Sequence, residues 1–350
     1  MVRCAIMAIL AFPEEEVSRP LAAPQYAHWQ AALADAVRDP VELCRLLGLD
    51  APLAAAAKGA AGRFPLLVPR PYLARIRPGD PEDPLLLQVL PRVAERIEAP
   101  GYLTDPLGEA EALVAPGLLA KYRGRSLIVA AGACAVHCRF CFRRHFPYNS
   151  SPDSAADWGP ALRQIAGDAS TREVILSGGD PLAMPDASLA RLARRLGDVP
   201  HLRRLRVHTR LPVMIPQRVT DELLGWLCGG GLSARVVVHV NHPAEIDPSV
   251  AGALGRLVDA GIPVLQQAVL LRGVNDRIEI LAELYERLID IRVAPYYLHQ
   301  LDPVAGAAHF EVAQSTGVRL IRQLRTRLPG YAVPRYVRET PGGLSKEVLA

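Results

Sequence analysis

Six short apolar, β-branched runs, at residues 126–131, 173–176, 205–209, 235–240, 264–270 and 292–297, alternate with stretches at helical spacing. Those stretches lie near 155–166, 187–196, 220–228, 248–260 and 278–288, with a last one at 312–327. A strand repeatedly followed by a helix returns to the same end of its sheet, so the strands are parallel and the helices cover them. Six units are too few for a closed eight-fold barrel, leaving an open sheet or a partial barrel. A chain of 350 residues has room for this body and an appendage. The expected division is a helical N-terminal extension at 1–120, an α/β body at 121–310, and a C-terminal helix and tail at 311–350. Residues 24–120 read as helical and proline-punctuated. Asp39-Pro40 there has the form of a cap with a first-turn proline, and Gly48 that of a stop.

Sites in parallel α/β folds gather at the C-terminal ends of strands, where the connecting loops converge. Every unit here delivers polar residues at that end. A cysteine loop follows the first run, Ser177-Gly178-Gly179-Asp180-Pro181 the second, and His208-Thr209-Arg210 ends the third. His239-Val240-Asn241-His242 ends the fourth, Gln266-Gln267 sits in the fifth, and His299-Gln300-Leu301-Asp302 ends the sixth.

Three of the six cysteines, Cys134, Cys138 and Cys141, fall in the cysteine loop at C-x3-C-x2-C spacing, with Phe140 before the last. Thiolates this close converge on one point if they share a metal centre, and three ligands leave one metal position open. A structural Cys3His zinc site completed by His137 or His145 is the alternative reading. The C-x3-C-x-aromatic-C pattern resembles the signature of radical S-adenosylmethionine enzymes. The resemblance implies a 4Fe-4S cluster on the three cysteines, S-adenosylmethionine on the fourth iron, and a one-electron reductant. It also implies a partial (β/α)6 TIM-like barrel, in agreement with the unit count. Phe140, Ser177, Gly178, Gly179 and Asp180 are then expected to line the S-adenosylmethionine site.

Lysine usage adds a second constraint. Only Lys58, Lys121 and Lys346 occur, against 37 arginines. A lysine kept in so arginine-rich a chain suggests chemistry that needs a deprotonatable amine. Lys346 closes Pro341-Gly342-Gly343-Leu344-Ser345-Lys346, which is similar to the pyridoxal phosphate segment of lysine 2,3-aminomutases; a solvated terminus is the bland alternative. The similarity extends over residues 75–346 and includes KYRGRSL, SGGDPL, HTRLPV, NHPAEI, LLRGVND, PYYLHQLD and AAHF. It implies that Lys346 carries pyridoxal 5′-phosphate, with Arg125 near the phosphate and His239 and Gln267 lining the pocket. It implies further that Arg143 binds the substrate carboxylate, and that Asp302 and Glu339 receive the distant ammonium of L-lysine. A cationic tail entering a dry pocket needs waiting negative charge. The subunit-bridging zinc cysteines of free-standing lysine aminomutases have no counterpart, Arg277 standing where one would follow LLRGVND, and oligomeric state is left open. KYRGRSL, CFRRHFPY and Arg338-Glu339, with only four residues after Lys346, most resemble the aminomutases that make (R)-β-lysine for elongation factor P and its ligase. A producer of free β-amino acids, from lysine or another amino acid, and a non-catalytic metal-binding module are the competing readings.

A formal charge of +4 is too small for a nucleic-acid binder, and Arg203, Arg204 and Arg206 read as a solvated face. Cys4, Cys44 and Cys228 lie in unrelated contexts, so no disulfide framework is expected and the expected compartment is the cytoplasm. The apolar run at 4–12 mimics a signal-peptide core but meets Pro13 and three glutamates, and it reads as an over-extended N-terminus.

Overall fold

A computed structural model describes residues 24–62, 64–148 and 158–350. The expectation for residues 4–12 lies outside them. Among its described residues the extension holds five short helices: α1 (Trp29–Ala34), α2 (Pro40–Leu46), α3 (Ala51–Ala60), α4 (Arg70–Leu73) and α5 (Pro84–Leu87). Asp39 caps α2 by accepting from Val41 N, Pro40 occupies its first turn, and Gly48 leaves it at φ +65. Residues 113–120, expected to be helical, instead form with 121 and 122 a hairpin of β1 (Leu113–Ala115) and β2 (Leu118–Tyr122), turned at Pro116-Gly117 with Gly117 at φ +70.

The body follows as β3 (Arg125–Ala131), α6 (Gly159–Gly167), β4 (Glu173–Gly178), α7 (Asp186–Gly197), β5 (Arg204–Thr209), α8 (Leu211–Met214), α9 (Asp221–Gly229) and β6 (Ser233–His239). It continues through α10 (Pro248–Asp259), β7 (Val264–Val269), α11 (Ile278–Asp290), β8 (Ala294–His299), α12 (Gln314–Arg327), β9 (Arg335–Arg338) and β10 (Glu347–Val348). One sheet runs in chain order from β1 to β10; β3 to β9 are parallel, and the β1–β2, β2–β3 and β9–β10 pairs are antiparallel. The six expected strand-and-helix units are present, and β9 adds a seventh parallel strand. The sixth strand starts two residues later than expected, because Arg292 sits in the left-handed region (φ 61) and closes the turn after α11.

The strands show which face is packed. In β7, Val264, Gln266 and Ala268 are buried, while Leu265, Gln267 and Val269 between them are half-buried. With Val174, Leu176, Val207, Val238 and Leu298 the buried set packs in the main core cluster with Leu189, Leu192 and Leu196 of α7 and Leu281, Leu284 and Leu288 of α11. Each such leucine contributes roughly 1.5–3 kcal/mol. Gly317 lets α12 lie directly on Tyr336 of β9, since a Cβ there would stand 2.3 Å from the ring. The two ends of the sheet meet across the opposite face through side chains. Lys121 of β2 donates to Glu339, just beyond β9, at 2.9 Å. The result is a partial barrel closed by charge rather than by backbone pairing. Among the described residues no helix is long and apolar enough to cross a membrane.

Candidate functional site

All the loops expected to carry the site lie at the C-terminal ends of β3 to β9, and two groups form there. The first surrounds the cysteines. The loop after β3 turns back on itself through Cys141 N to Cys138 O at 3.0 Å. Burial and then the neighbouring sulfur of Cys138 push the Cys141 thiol up to about 12. Burial, then Cys141, Asp180 and Cys138, raise Cys134 well above the ordinary thiol range. Thiols that oppose one another's ionisation gain when a shared cation neutralises them, so the donor set suits an iron–sulfur cluster. Among the described residues no trio of His, Cys, Asp or Glu is gathered tightly enough to hold an ion as it stands, so this fit rests on the loop and its thiol chemistry. The zinc alternative finds its histidines engaged elsewhere. His137 Nδ1 meets Pro65 O at 2.8 Å, and His145 Nε2 meets Ala305 O at 3.0 Å.

The Gly-Gly turn packs on this loop. A Cβ on Gly178 (φ +122) would stand 2.5 Å from Ala131 O, and one on Gly179 2.3 Å from Ala133 O. The close approach is therefore made to the protein's own backbone. Asp180 accepts from Thr209 Oγ1 at 2.7 Å and from the backbone N–H groups of Leu182, Arg210 and Leu211, which joins the ends of β4 and β5. Arg210 reaches from that junction to Cys138, donating to its Sγ at 2.8 Å and to Gln88 Oε1 and Glu245 Oε2 at 2.6 and 3.1 Å. Its guanidinium also lies 5.5 Å from the Phe140 ring centre.

The second group is a row of alternating charges. Arg143 pairs with Glu109 through two bonds of 2.7 and 2.8 Å, and its remaining amino group donates to Ser177 Oγ at 3.0 Å. Glu109 also meets Lys121 at 3.3 Å. Lys121 pairs with Glu339, and Glu339 with Lys346. Two of the chain's three lysines thus converge on one carboxylate. Burial alone would raise Glu339, but Lys346 and Lys121 hold it down at about 2. Asp302, from the loop after β8, is pushed up to about 7 by burial and by Glu339, against the pull of Lys346 and Lys121.

Three histidines face the same interior. Burial and then Arg206, Lys346 and Arg143 hold His208 well below the imidazole range. Burial with Lys346 takes His299 down to about 3, and burial with Arg210 takes His239 to about 4. His208 Nε2, His299 Nε2 and Arg206 Nε are buried without a partner. Such orphaned groups need a polar ligand, and with the amine of Lys346 among them the site suits an aldehyde cofactor bearing a phosphate. Gln267 stands opposite His239 and Tyr297 across the strands. Arg125 is placed apart from the mouth, at the start of β3, with its guanidinium 4.6 Å from the Tyr122 ring centre. Arg143 is already engaged by Glu109 and Ser177.

Sequence reasoning did not single out Gln88, Glu95 or Glu109, and it noted Arg210 and Glu245 only as members of HTRLPV and NHPAEI. The only signal was weak. Asp105 precedes Pro106, and its carboxylate accepts from Glu109 N and Ala110 N, shaping the turn that carries Glu109. Two surface clefts of about 490 and 570 Å3 open among the outer helices, at Pro216–Arg256 and Arg191–Gly231, and neither is lined by these residues.

Comparison with known proteins shows the family of the chain. The family model described as Radical SAM superfamily matches residues 128–285. The chain is 43% identical to the L-lysine 2,3-aminomutase of Haemophilus influenzae over 338 residues, covering 97% of this chain and 98% of that one. It is 45% identical to the Escherichia coli protein of the same name over 327 residues, 93% and 95% of the two chains. Against the L-lysine 2,3-aminomutase of Clostridium subterminale the identity is 38%, over 79% of this chain and 66% of the other.

Proposed function

The chain belongs to the L-lysine 2,3-aminomutase family of the Radical SAM superfamily, and from that premise we propose that it moves the α-amino group of L-lysine to the β-carbon. Cys134, Cys138 and Cys141 hold the 4Fe-4S cluster, with S-adenosylmethionine beside Phe140 and the Ser177–Asp180 turn. Lys346 holds pyridoxal phosphate with His239 and Gln267 beside it, and Arg125, at the start of β3, is the proposed partner of the phosphate from below the mouth. When bound, the cluster and S-adenosylmethionine supply one-electron chemistry at carbon, and pyridoxal phosphate supplies a ring that holds the migrating nitrogen and spreads unpaired spin.

The observation that carries this reading is the meeting of Asp302, Glu339 and Lys346 at one barrel mouth. A carboxylate pair suits an ammonium tail, because a buried cation needs opposite charge beside it. Glu339 is ionised and already gripped by two amines. Asp302 lacks such a grip and sits near its midpoint at neutral pH, so an arriving ammonium drives off its proton and gains a counter-charge. Arg143, held flat by Glu109, is oriented toward the Ser177 side of the mouth, where it orders the substrate carboxylate. His208 and His299 stay neutral at neutral pH and present imidazole nitrogens rather than further cations. The packed outer layer keeps bulk water from the inner face, which protects reactive intermediates.

The product is read as (R)-β-lysine for attachment to elongation factor P by a separate ligase in the cytoplasm, on the likeness of KYRGRSL, CFRRHFPY and Arg338-Glu339 to that branch. Anaerobic incubation with L-lysine, S-adenosylmethionine, pyridoxal phosphate and a one-electron reductant, followed by chiral amino-acid analysis, tests the reaction. β-Lysine is expected, and its absence from protein with a full complement of iron and sulfide refutes the reading. Loss of elongation factor P modification in a deletion strain is expected as well. Normal modification there would leave a producer of free β-lysine.

A further inference from the structure

The cysteine loop rests on the N-terminal extension, and the contacts meet at one residue. Glu95, in the 3-10 turn Val93–Arg96, accepts from Arg139 Nε at 2.8 Å and from an Arg139 amino group at 2.5 Å. The same carboxylate accepts from Arg144 at 2.7 Å. Arg139 stands between Cys138 and Cys141 and is 1% exposed. Its backbone N donates to Gln88 O at 2.9 Å, and its third nitrogen donates to Phe64 O at 2.9 Å. The Phe64 ring lies under both guanidinium groups, at 4.8 and 4.9 Å, and stacks on His137.

Arg144 has a second engagement. It donates to Arg139 O at 3.0 Å and to Gly306 O at 3.1 Å. Gly306 belongs to the loop after β8 that carries Asp302, and a Cβ there would stand 2.9 Å from the guanidinium. The loop with the thiols and the loop with the acid are therefore both tied, through two arginines, to one carboxylate of the extension. Replacing a buried Arg–Glu–Arg triad by a well-packed apolar trio is often neutral or stabilising, so net stability alone does not account for this one. Bidentate pairing fixes direction as well as distance.

We propose that Glu95 is a positioning residue: it holds the cysteine loop in ligating register and, through Arg144, sets the Asp302 loop against it. The extension is then part of the frame of the active site. This rests on the reading that the three cysteines hold an iron–sulfur cluster. Reactivity falls steeply when reacting groups are misplaced by about 1 Å, so two loops from different strands profit from a shared anchor.

The test compares Glu95→Gln, Glu95→Asp and Arg144→Lys with Asp186→Asn, which breaks the half-buried Arg218–Asp186 pair at the outer helices. Each protein is reconstituted anaerobically. Iron release to a chelator is timed, the electron paramagnetic resonance spectrum of the reduced cluster is recorded, and Tm and the KM for L-lysine are measured. Glu95→Gln is expected to release iron at least tenfold faster, to change the spectrum and to raise KM. Glu95→Asp recovers part of each effect, and Arg144→Lys raises KM more than it speeds iron release. Asp186→Asn lowers Tm yet keeps the wild-type release rate. Wild-type release from Glu95→Gln, or equal acceleration in Asp186→Asn at matched Tm, overturns the proposal. If Glu95→Gln does not fold, Arg144→Lys with unchanged KM overturns it. Wild-type protein that takes up no iron and sulfide refutes the cluster reading instead, a separate result.

Discussion

Lys121 and Lys346 grip opposite oxygens of Glu339, Lys121 at Oε1 and Lys346 at Oε2, and this ties the first antiparallel hairpin to the last strand of the sheet. Because the sheet ends do not pair through backbone, this contact helps to close the barrel. Removing the carboxylate leaves two half-buried ammonium groups facing each other. The expected cost of Glu339→Gln is about 3 kcal/mol at pH 7, the lower end for breaking a buried pair. Glu339 has its folded pKa depressed to about 2, so its contribution is full above about pH 4.5 and is lost as pH falls toward 2. The Tm gap between wild type and Glu339→Gln, followed by calorimetry, is expected to be widest near neutrality and to shrink below pH 4.5. A gap that does not change with pH would mean that charge is not what holds the two ends together.

Asp302 carries the opposite sign. Its folded pKa, raised to about 7, means the folded protein holds a proton that the unfolded chain has lost above about pH 4. Stability therefore falls as pH rises through that window, and Asp302→Asn removes this loss. Substrate binding follows from the same proton. Below pH 7 the ammonium of lysine must displace it, so KM is expected to fall about tenfold per pH unit up to neutrality and then level off. In Asp302→Asn the slope disappears and KM is high throughout. A sloping profile in that variant would assign the proton to another group.

The Gly178-Gly179 pair is expected to be intolerant of even one added carbon. Both hypothetical Cβ atoms meet backbone carbonyls of β3 and the cysteine loop, closer than real Cβ atoms come, and backbone cannot swing aside. Gly179→Ala should cost at least about 3 kcal/mol, the top of the range for overpacking. It should also speed iron release, since Ala133 lies next to Cys134. Urea melts of the metal-free and reconstituted proteins separate the two effects. Stability within 1 kcal/mol of wild type would show that the turn has room to move.

The parallel core was legible because each of its strands is an apolar run bounded by turn residues, and because the helices between them are amphipathic. The hairpin at 113–122 and β9 were not. Their runs are short, interrupted by Lys121 or flanked by Arg335 and Arg338, and they become strands by pairing with edges that local pattern does not reveal. The cysteines, the glycine pair and the rare Lys346 stood out by residue type and spacing, whereas the roles proposed for Asp302 and Lys346 came from the family resemblance. Glu95, Gln88 and Glu109 were not, because what marks them is partners 34 to 157 positions away; Arg210 was read only as a polar residue at a strand end. Arg143 and Asp180 show the reverse case. Both were read as ligand contacts, and both also serve the protein's own framework, Arg143 through Glu109 and Asp180 through Thr209.

Arg210 offers a test of how far that framework reaches into the redox chemistry. Its N–H to Cys138 Sγ is a charge-assisted contact on a thiol proposed to bind iron, and the other arm is fixed by Gln88 and Glu245. Hydrogen bonds and positive charge at cluster sulfurs stabilise the reduced state, because reduction adds negative charge there. Arg210→Gln removes the charge and weakens the bond, so the midpoint potential of the reconstituted cluster is expected to move to more negative values. Arg210→Lys keeps the charge but cannot span Cys138, Gln88 and Glu245 together, and a smaller shift in the same direction is expected. A redox titration followed by electron paramagnetic resonance reads both. An unchanged potential in Arg210→Gln would show that this guanidinium serves the Gln88–Glu245 network alone.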